Sequence, residues 1–303
     1  MKLNRIGYGT WPLGGTFNGS LSYGKVNDED SIKALLKGYD MGVNVYDTSD
    51  FYGFGHVENL LGNVFKDVRD KIYIITKGGM TTNDGNQNFS IDYITNTFKS
   101  SLSRLNTNYV DVYMLHSPKL SVLKESNLVN HLKSLKEEGL IKKIGISLAS
   151  PNDGIEAIET YGFEVVEVNY NILDRRAESN GLLEYCNKNS VLNVIRTPLA
   201  QGILSGKFKF NNDTDDRRQS WSQDKVNNNV RIYKKMLSKL NDNIYTDSQN
   251  CLRFCLSNPN VNVIIPGMKV ENEVIENIST INFPLLTEKE KEDILNIYIE
   301  EKL

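Results

Sequence analysis

Cysteine and histidine are scarce in this chain, three of each in 303 residues. Three cysteines (Cys186, Cys251, Cys255) cannot build a disulfide framework. Cys251 and Cys255 stand four apart in an apolar helical stretch, the spacing of two buried thiols. With so few histidines no metal-ligand spacing is present, so no metal is expected. Charge of one sign is also lacking: 35 basic residues against 38 acidic leave a net charge of −3. That excludes the basic footprint of a nucleic-acid or anionic-membrane binder. No run approaches the roughly 20 apolar residues that span a bilayer. The opening Met1-Lys2-Leu3-Asn4-Arg5 carries no apolar signal core, so a cytoplasmic location is expected. Proline numbers only seven, and no Pro/Ser-rich linker divides the chain. What remains, 39% hydrophobic and 24% charged residues, is ordinary globular composition.

The apolar residues are organised. Eight short β-rich runs cover residues 3–10, 43–47, 72–76, 110–115, 144–147, 165–169, 192–196 and 261–266. Most are continuously apolar, as parallel strands covered on both faces must be. Helical periodicity fills the gaps at 30–39, 90–105, 128–138, 151–160, 181–188, 226–240, 271–278 and 287–300, with Ser90 placed as an N-cap. Eight β/α repeats with right-handed crossovers predict a (β/α)8 barrel, an α/β fold of TIM type, with residues 1–303 as one domain. One long irregular stretch, 205–225, follows the seventh strand, and a loop of that length is usually functional. A charged amphipathic helix occupies 287–303.

Barrel chemistry sits at the C-terminal strand ends. There the second run reaches Asp47 and, shortly after, Tyr52; the third ends at Lys77; the fourth at His116. Singly each has a plain structural explanation, such as a capping Asp or a packed Tyr. Together, a carboxylate, a phenol, an ammonium and an imidazole at one barrel mouth would be expensive to bury without a purpose.

These residues carry a resemblance. Asp47-Thr48 with Tyr52-Gly53, Glu58 with Leu61-Gly62, Thr76-Lys77, and Asp111 with Tyr113 and His116 match, in order, the motifs of the aldo-keto reductases. The resemblance runs from about residue 6 to about residue 280. It implies reduction of an aldehyde or ketone to an alcohol by a nicotinamide cofactor. Tyr52 would be the general acid. Tyrosine is a poor acid at neutral pH, with an ordinary pKa of about 10, and a neighbouring ammonium favours its anion. Lys77 would do this, Asp47 would pair with Lys77, and His116 would orient the substrate carbonyl. A Schiff-base lyase or aldolase is another chemistry open to a strand-end lysine. It needs Lys77 free of a paired Asp.

The resemblance also implies a cofactor extended across the mouth, since no Gly-x-Gly-x-x-Gly follows a strand. Gly9, Thr10 and Trp11 fall to the cofactor side. So does the stretch Pro198, Leu199, Gln201, Gly202, Leu204, Gly206 and Lys207, whose glycines let backbone N–H groups approach a pyrophosphate. Arg218, in the 205–225 stretch expected to fold over the cofactor, is a pyrophosphate candidate. Glu276 and Asn277 would contact the adenosine end. Gly267, Lys269 and Glu273 surround the position of a ribose phosphate. Lys269 with the helix N-terminus favours NADPH, Glu273 opposes it, and NADH remains open.

The chain departs from the family at the nicotinamide. Leu148 follows Ser147 where Asn is common, Glu167 replaces Gln, and Arg196 stands where an aromatic residue often stacks. A carboxylate only accepts hydrogen bonds, so Glu167 could hold the amide NH2 but not its oxygen. Expected substrate-pocket residues are Trp11, Phe51, Phe54, His56, Ser117 and Trp221, an aromatic mouth with polar handles. It suits a small-molecule carbonyl such as a sugar or a nucleotide-linked keto sugar. A non-catalytic, cofactor-dependent binding subunit of the same fold is the alternative, because such proteins can keep all four polar residues.

Overall fold

The computed structural model describes residues 1–124, 127–210, 213–240 and 244–302. Their strands are β1 (Tyr8–Gly9), β2 (Val45–Asp47), β3 (Tyr73–Gly78), β4 (Val110–His116), β5 (Ile141–Ser147), β6 (Val165–Asn169), β7 (Leu192–Arg196) and β8 (Val263–Ile264). All pair in parallel in the order of the chain. The parallel bridges Ile6 to Ile264 and Gly9 to Gly267 join the first strand to the eighth and close the sheet on itself. The expected (β/α)8 barrel is therefore what the chain forms. The first and last strands are shorter than the apolar runs that announced them, because Gly7, Gly9 and Gly267 make close, isolated contacts there instead of a regular ladder.

Strand side chains alternate between faces, and the alternation places the chemistry. Val45, Ile75, Val112, Met114, Val165, Val194, Val263 and Ile265 form a buried cluster of their own inside the barrel. Two residues further along the same faces stand Asp47, Lys77, His116, Glu167 and Arg196. The barrel interior is thus apolar below and charged at the C-terminal rim. On β5 the corresponding positions are Gly145 and Ser147. A Cβ at Gly145 would sit 2.8 Å from Met114 Cγ, so glycine there leaves room for the interior layer. The other strand face packs on the helices through a larger cluster that includes Tyr8, Tyr46, Leu60, Phe98 and Ile278.

The helices start where the sequence signals them. Asn27 accepts from Asp30 N–H at the head of Asp28–Asp40, and Ser90 caps Ile91–Arg104 as expected. Thr287 and Glu290 form a capping box on Glu288–Glu300. Within the 205–225 stretch a short turn, Arg217–Ser220, precedes a helix Gln223–Leu237 that begins at its Ser222 cap, earlier than periodicity indicated. Helix His56–Val64 lies under the reductase-like motif. Its Gly62 is required by packing: a Cβ would stand 2.3 Å from the Arg104 carbonyl oxygen. Buried Glu58 ties the same helix down, accepting from Thr76 Oγ1 at 2.5 Å and Arg104 Nε at 2.8 Å. No helix among the described residues is long and apolar enough to cross a membrane.

Candidate active site

A cleft of about 630 Å³ opens at the C-terminal mouth. On its β2–β4 side the charged rim is assembled. Lys77 Nζ is fully buried and donates to Asp47 Oδ1 at 2.5 Å, to the Thr48 carbonyl at 3.1 Å and to Tyr52 OH at 3.2 Å. The ammonium also stands 3.1 Å from Glu167 Oε2, across the barrel on β6. Ser147 Oγ holds the other Glu167 oxygen at 2.9 Å, and Arg196 Nε lies 4.0 Å from it. Arg196 donates to the Leu148 carbonyl at 2.9 Å, so the unusual residues at 148, 167 and 196 form one connected arrangement. A Schiff-base lysine is at odds with this, since Lys77 is engaged by two carboxylates.

The environment sets the protonation of each group. Burial lowers the proton affinity of Lys77, but Asp47 and Glu167 more than reverse that and hold it charged. Burial pushes the Tyr52 phenol well above its ordinary range. Lys77 opposes the shift, and Asp47 and Glu167 reinforce it. Burial together with Glu167 raises the Asp47 carboxyl against the pull of Lys77. Burial also acts on Glu167, yet Lys77 and Arg196 keep its carboxyl below the usual range. Burial, with Lys77 and Arg196 adding, drops the His116 imidazole to about 3. His116 is therefore neutral.

Sequence reasoning missed what orients that imidazole. Ser49 Oγ lies 3.1 Å from His116 Nδ1 and 3.1 Å from Asp50 Oδ1, and accepts from Phe51 N–H. Gln87 Nε2 reaches the His116 and Ser117 carbonyls from a short hairpin bridged at Met80. Ser49 sits inside the motif that was recognised, but nothing in spacing pairs it with a histidine 67 positions away.

The β7–β8 side carries the expected cofactor positions. Gly9, Trp11, Glu167, Arg196, Pro198, Leu199, Gln201, Gly202, Lys207, Arg218, Gly267, Lys269, Glu273, Glu276 and Asn277 all line the cleft. Thr10 and Ser147 do not: each is buried, Thr10 Oγ1 on the Asp47 carbonyl and Ser147 on Glu167. Leu204 belongs to the core and Gly206 lies outside the lining, its Cβ position blocked by Asp247. The basic groups are already paired. Lys207 bonds Glu276. Arg218 makes a bidentate pair with Asp216 and donates to the Gln201 carbonyl at 3.2 Å. Arg218, the pyrophosphate candidate, thus has a protein partner without any ligand. Lys269 Nζ bonds the Tyr23 carbonyl, and Glu273 Oε2 accepts from Lys269 N–H at 2.6 Å. One backbone donor expected for a phosphate is therefore occupied by Glu273.

Of the expected substrate residues, Trp11, Phe51 and Ser117 line the cleft. Trp11 stacks on Phe51 at 5.6 Å and meets the Tyr52 ring edge-on at 4.9 Å. Three others fall outside it. His56 pairs with Asp28 at 2.8 Å and stacks on Phe17, held by the start of its helix. Phe54 is exposed behind Phe51. Trp221 packs against Phe208 and the core. Tyr23, Met80, Phe208, Lys209 and Arg217 line the cleft in their place. They come from loops distant in sequence, so no local pattern marked them.

The donor set fits a nicotinamide dinucleotide. Glu167 Oε2 and Arg196 Nε are buried and lack hydrogen-bond partners among the described residues. Gly202, at φ +96, leaves open the space where a Cβ would stand 2.9 Å from Arg218 Nη1. A closed parallel barrel with a buried Asp–Lys–Tyr group and a neutral His at its C-terminal rim is an arrangement suited to a barrel-class oxidoreductase.

Comparison with known proteins agrees. The profile of the aldo/keto reductase family matches residues 5–299. An uncharacterized oxidoreductase, YqkF, of Bacillus subtilis (strain 168) is 28% identical over 96% of this chain and 91% of its own. The NADH-specific methylglyoxal reductase of Escherichia coli (strain K12) is 28% identical over 94% and 92%. The holo form of the aldo-keto reductase AKR11C1 from Bacillus halodurans has a TM-score of 0.78 at 24% identity, covering 97% of this chain and 92% of its own. The chain belongs to the aldo/keto reductase family and is an oxidoreductase.

Proposed function

We propose that this protein reduces an aldehyde or ketone to an alcohol with NADPH, accepting NADH less well, and that Tyr52 is its general acid. The observation that carries the reading is the buried Lys77 ammonium 3.2 Å from Tyr52 OH and 2.5 Å from Asp47. Glu167, Arg196, Gly202 and the β8 end would hold the nicotinamide, whose chemistry when bound would be hydride donation to the carbonyl carbon. The substrate oxygen lies between Tyr52 OH and His116. Tyr52 gives its proton to that oxygen as negative charge develops. Lys77 stabilises the tyrosinate left behind, and Asp47 holds Lys77 in place. His116, neutral, donates from Nε2. That tautomer requires Nδ1 to accept, and Ser49 is the hydroxyl within reach.

The substrate wall of Trp11, Phe51, Met80, Ser117 and Arg217 combines rings with polar and cationic handles. It favours a polar carbonyl compound, a sugar or nucleotide-linked keto sugar among them. NADPH is preferred through Lys269, with Glu273 limiting the margin to about tenfold, one decade per 1.4 kcal/mol. The barrel acts as one unit. The cytoplasm is its proposed setting, in keeping with three buried, unpaired cysteines. The test is a panel of carbonyl compounds with NADPH and with NADH, followed by loss of the reduced cofactor's absorbance. Cofactor binding without oxidation on any member of a broad panel would instead mark a binding subunit.

A further inference from the structure

An ammonium has three N–H bonds. Among the described residues, four oxygens lie within 3.2 Å of Lys77 Nζ: Asp47 Oδ1, Thr48 O, Glu167 Oε2 and Tyr52 OH. The first, second and fourth receive hydrogen bonds, and Glu167 Oε2 is left without one. Glu167 is 2% exposed and Lys77 wholly buried, so solvent screening between them is slight. One cation thus serves two carboxylates and a phenol. With glutamine at 167 it would serve one carboxylate and the phenol.

We propose that Glu167 is a positioning residue that acts as a second counter-ion of Lys77, competing with Tyr52 for its third N–H and keeping the phenol protonated, so that the site is set for carbonyl reduction over alcohol oxidation. The groups that face this carboxylate come from five strands. Asp47 on β2, with Tyr52 just beyond it, and Lys77 on β3 share the ammonium. His116 stands on β4 and Ser147 on β5, and Arg196 on β7 approaches to 4.0 Å. Burial and the adjacent Glu167 raise the Asp47 carboxyl, whereas, against burial, Lys77 and Arg196 hold that of Glu167 low, so Glu167 is the firmer negative charge facing the two cations. Removing the charge of Glu167 leaves a net positive field at Tyr52, which favours tyrosinate. The geometry stands by itself; its catalytic consequence rests on the reductase reading above.

The test titrates the cofactor-free protein labelled with 13C at tyrosine Cζ, the Tyr52 resonance being identified by its loss in Tyr52→Phe. In Glu167→Gln, Tyr52 begins to ionise about one to two pH units lower than in wild type, the scale of one close charge. Glu167→Asp keeps the charge but draws it back by a methylene, and gives an intermediate curve. It also serves if the Gln variant folds poorly. In turnover, the alkaline limb of carbonyl reduction moves to lower pH in Glu167→Gln by the same amount, and alcohol oxidation becomes measurable at lower pH. Coincident Tyr52 curves overturn the proposal, whether both titrate or both stay flat until the protein unfolds. A protein that reduces no carbonyl compound fails the reductase reading, while the titration still decides the role of Glu167.

Discussion

The two sides of the cleft are built differently. On the β2–β4 side, Asp47, Lys77 and His116 project from strands into a dry rim, and their contacts are buried. On the β7–β8 side Lys207, Arg218 and Lys269 sit on loops and a helix start, each held by an acid or carbonyl of the protein itself. The Lys207 side chain is 63% exposed in its pair with Glu276. Buried pairs held by strands are preorganised and act without rearrangement. An exposed pair of this kind is worth little, about 0–1 kcal/mol, so a phosphate can replace Glu276 at small cost, whereas the Arg218–Asp216 pair is largely buried and costs more to open. On the proposed reading the groups that move the proton are rigid, and Lys207 is the readily exchanged anion contact.

The largest effects break the rigid side. Tyr52→Phe lowers turnover by about 10²-fold or more while cofactor affinity, read by fluorescence titration, stays near wild type. Lys77→Met does the same by withdrawing the charge that favours tyrosinate. A Tyr52→Phe protein with wild-type turnover would remove Tyr52 from the mechanism.

The exchangeable side gives the next effect. Lys269→Ala weakens NADPH by about tenfold and leaves NADH nearly unchanged. Glu273→Gln tightens NADPH, because the carboxylate now beside Lys269 N–H repels a ribose phosphate. Titration of both cofactors decides it, and a wild-type protein that binds NADH more tightly reverses the assignment.

Smaller again is the orienting contact. Ser49→Ala removes the partner of His116 Nδ1, and kcat falls on the order of fivefold, the worth of one hydrogen bond of about 1 kcal/mol. Unchanged KM and kcat together would mean that the tautomer is set elsewhere. His116 also links stability to pH. Its proton affinity is lowered to about 3, against about 6.5 in an unfolded chain. The stability it supports is present above about 6.5 and lost as pH falls towards 3, because unfolding then takes up a proton. Urea midpoints measured across that window fall less steeply for His116→Gln than for wild type.

The smallest effect is protection of residues 213–225. Backbone exchange there slows with NADPH as Arg218 turns from Asp216 to phosphate. Equal exchange with and without cofactor would leave that pair as a purely structural one.

The strands and most of the long helices were legible because each is a local pattern, while helices His56–Val64 and Asp247–Leu256 fell outside the periodic stretches. Ser90, Thr287 and the apolar runs announced themselves within a few residues. The three polar strand ends and Tyr52 just beyond the second were legible too, since motif order and the barrel rule put them on one rim. Phe54, His56 and Trp221 were not. Each follows a recognisable element, but the turn at Gly53-Phe54-Gly55, with φ positive at all three residues, directs Phe54 outward and starts the helix that carries His56 away.

The sequence by itself determined the barrel, its strand order and which residues reach its rim, because period-two alternation and β/α repetition act over short distances. Only the tertiary structure decided who meets whom. Glu167 is 90 residues from Lys77 in the chain, yet barrel closure brings it within 3.1 Å. Read along the chain, that glutamate was an unusual amide replacement. In the closed barrel it is a charge on the ammonium beside Tyr52, because electrostatic energy depends on distance through space and on the dryness of the interior, neither of which is written in sequence spacing.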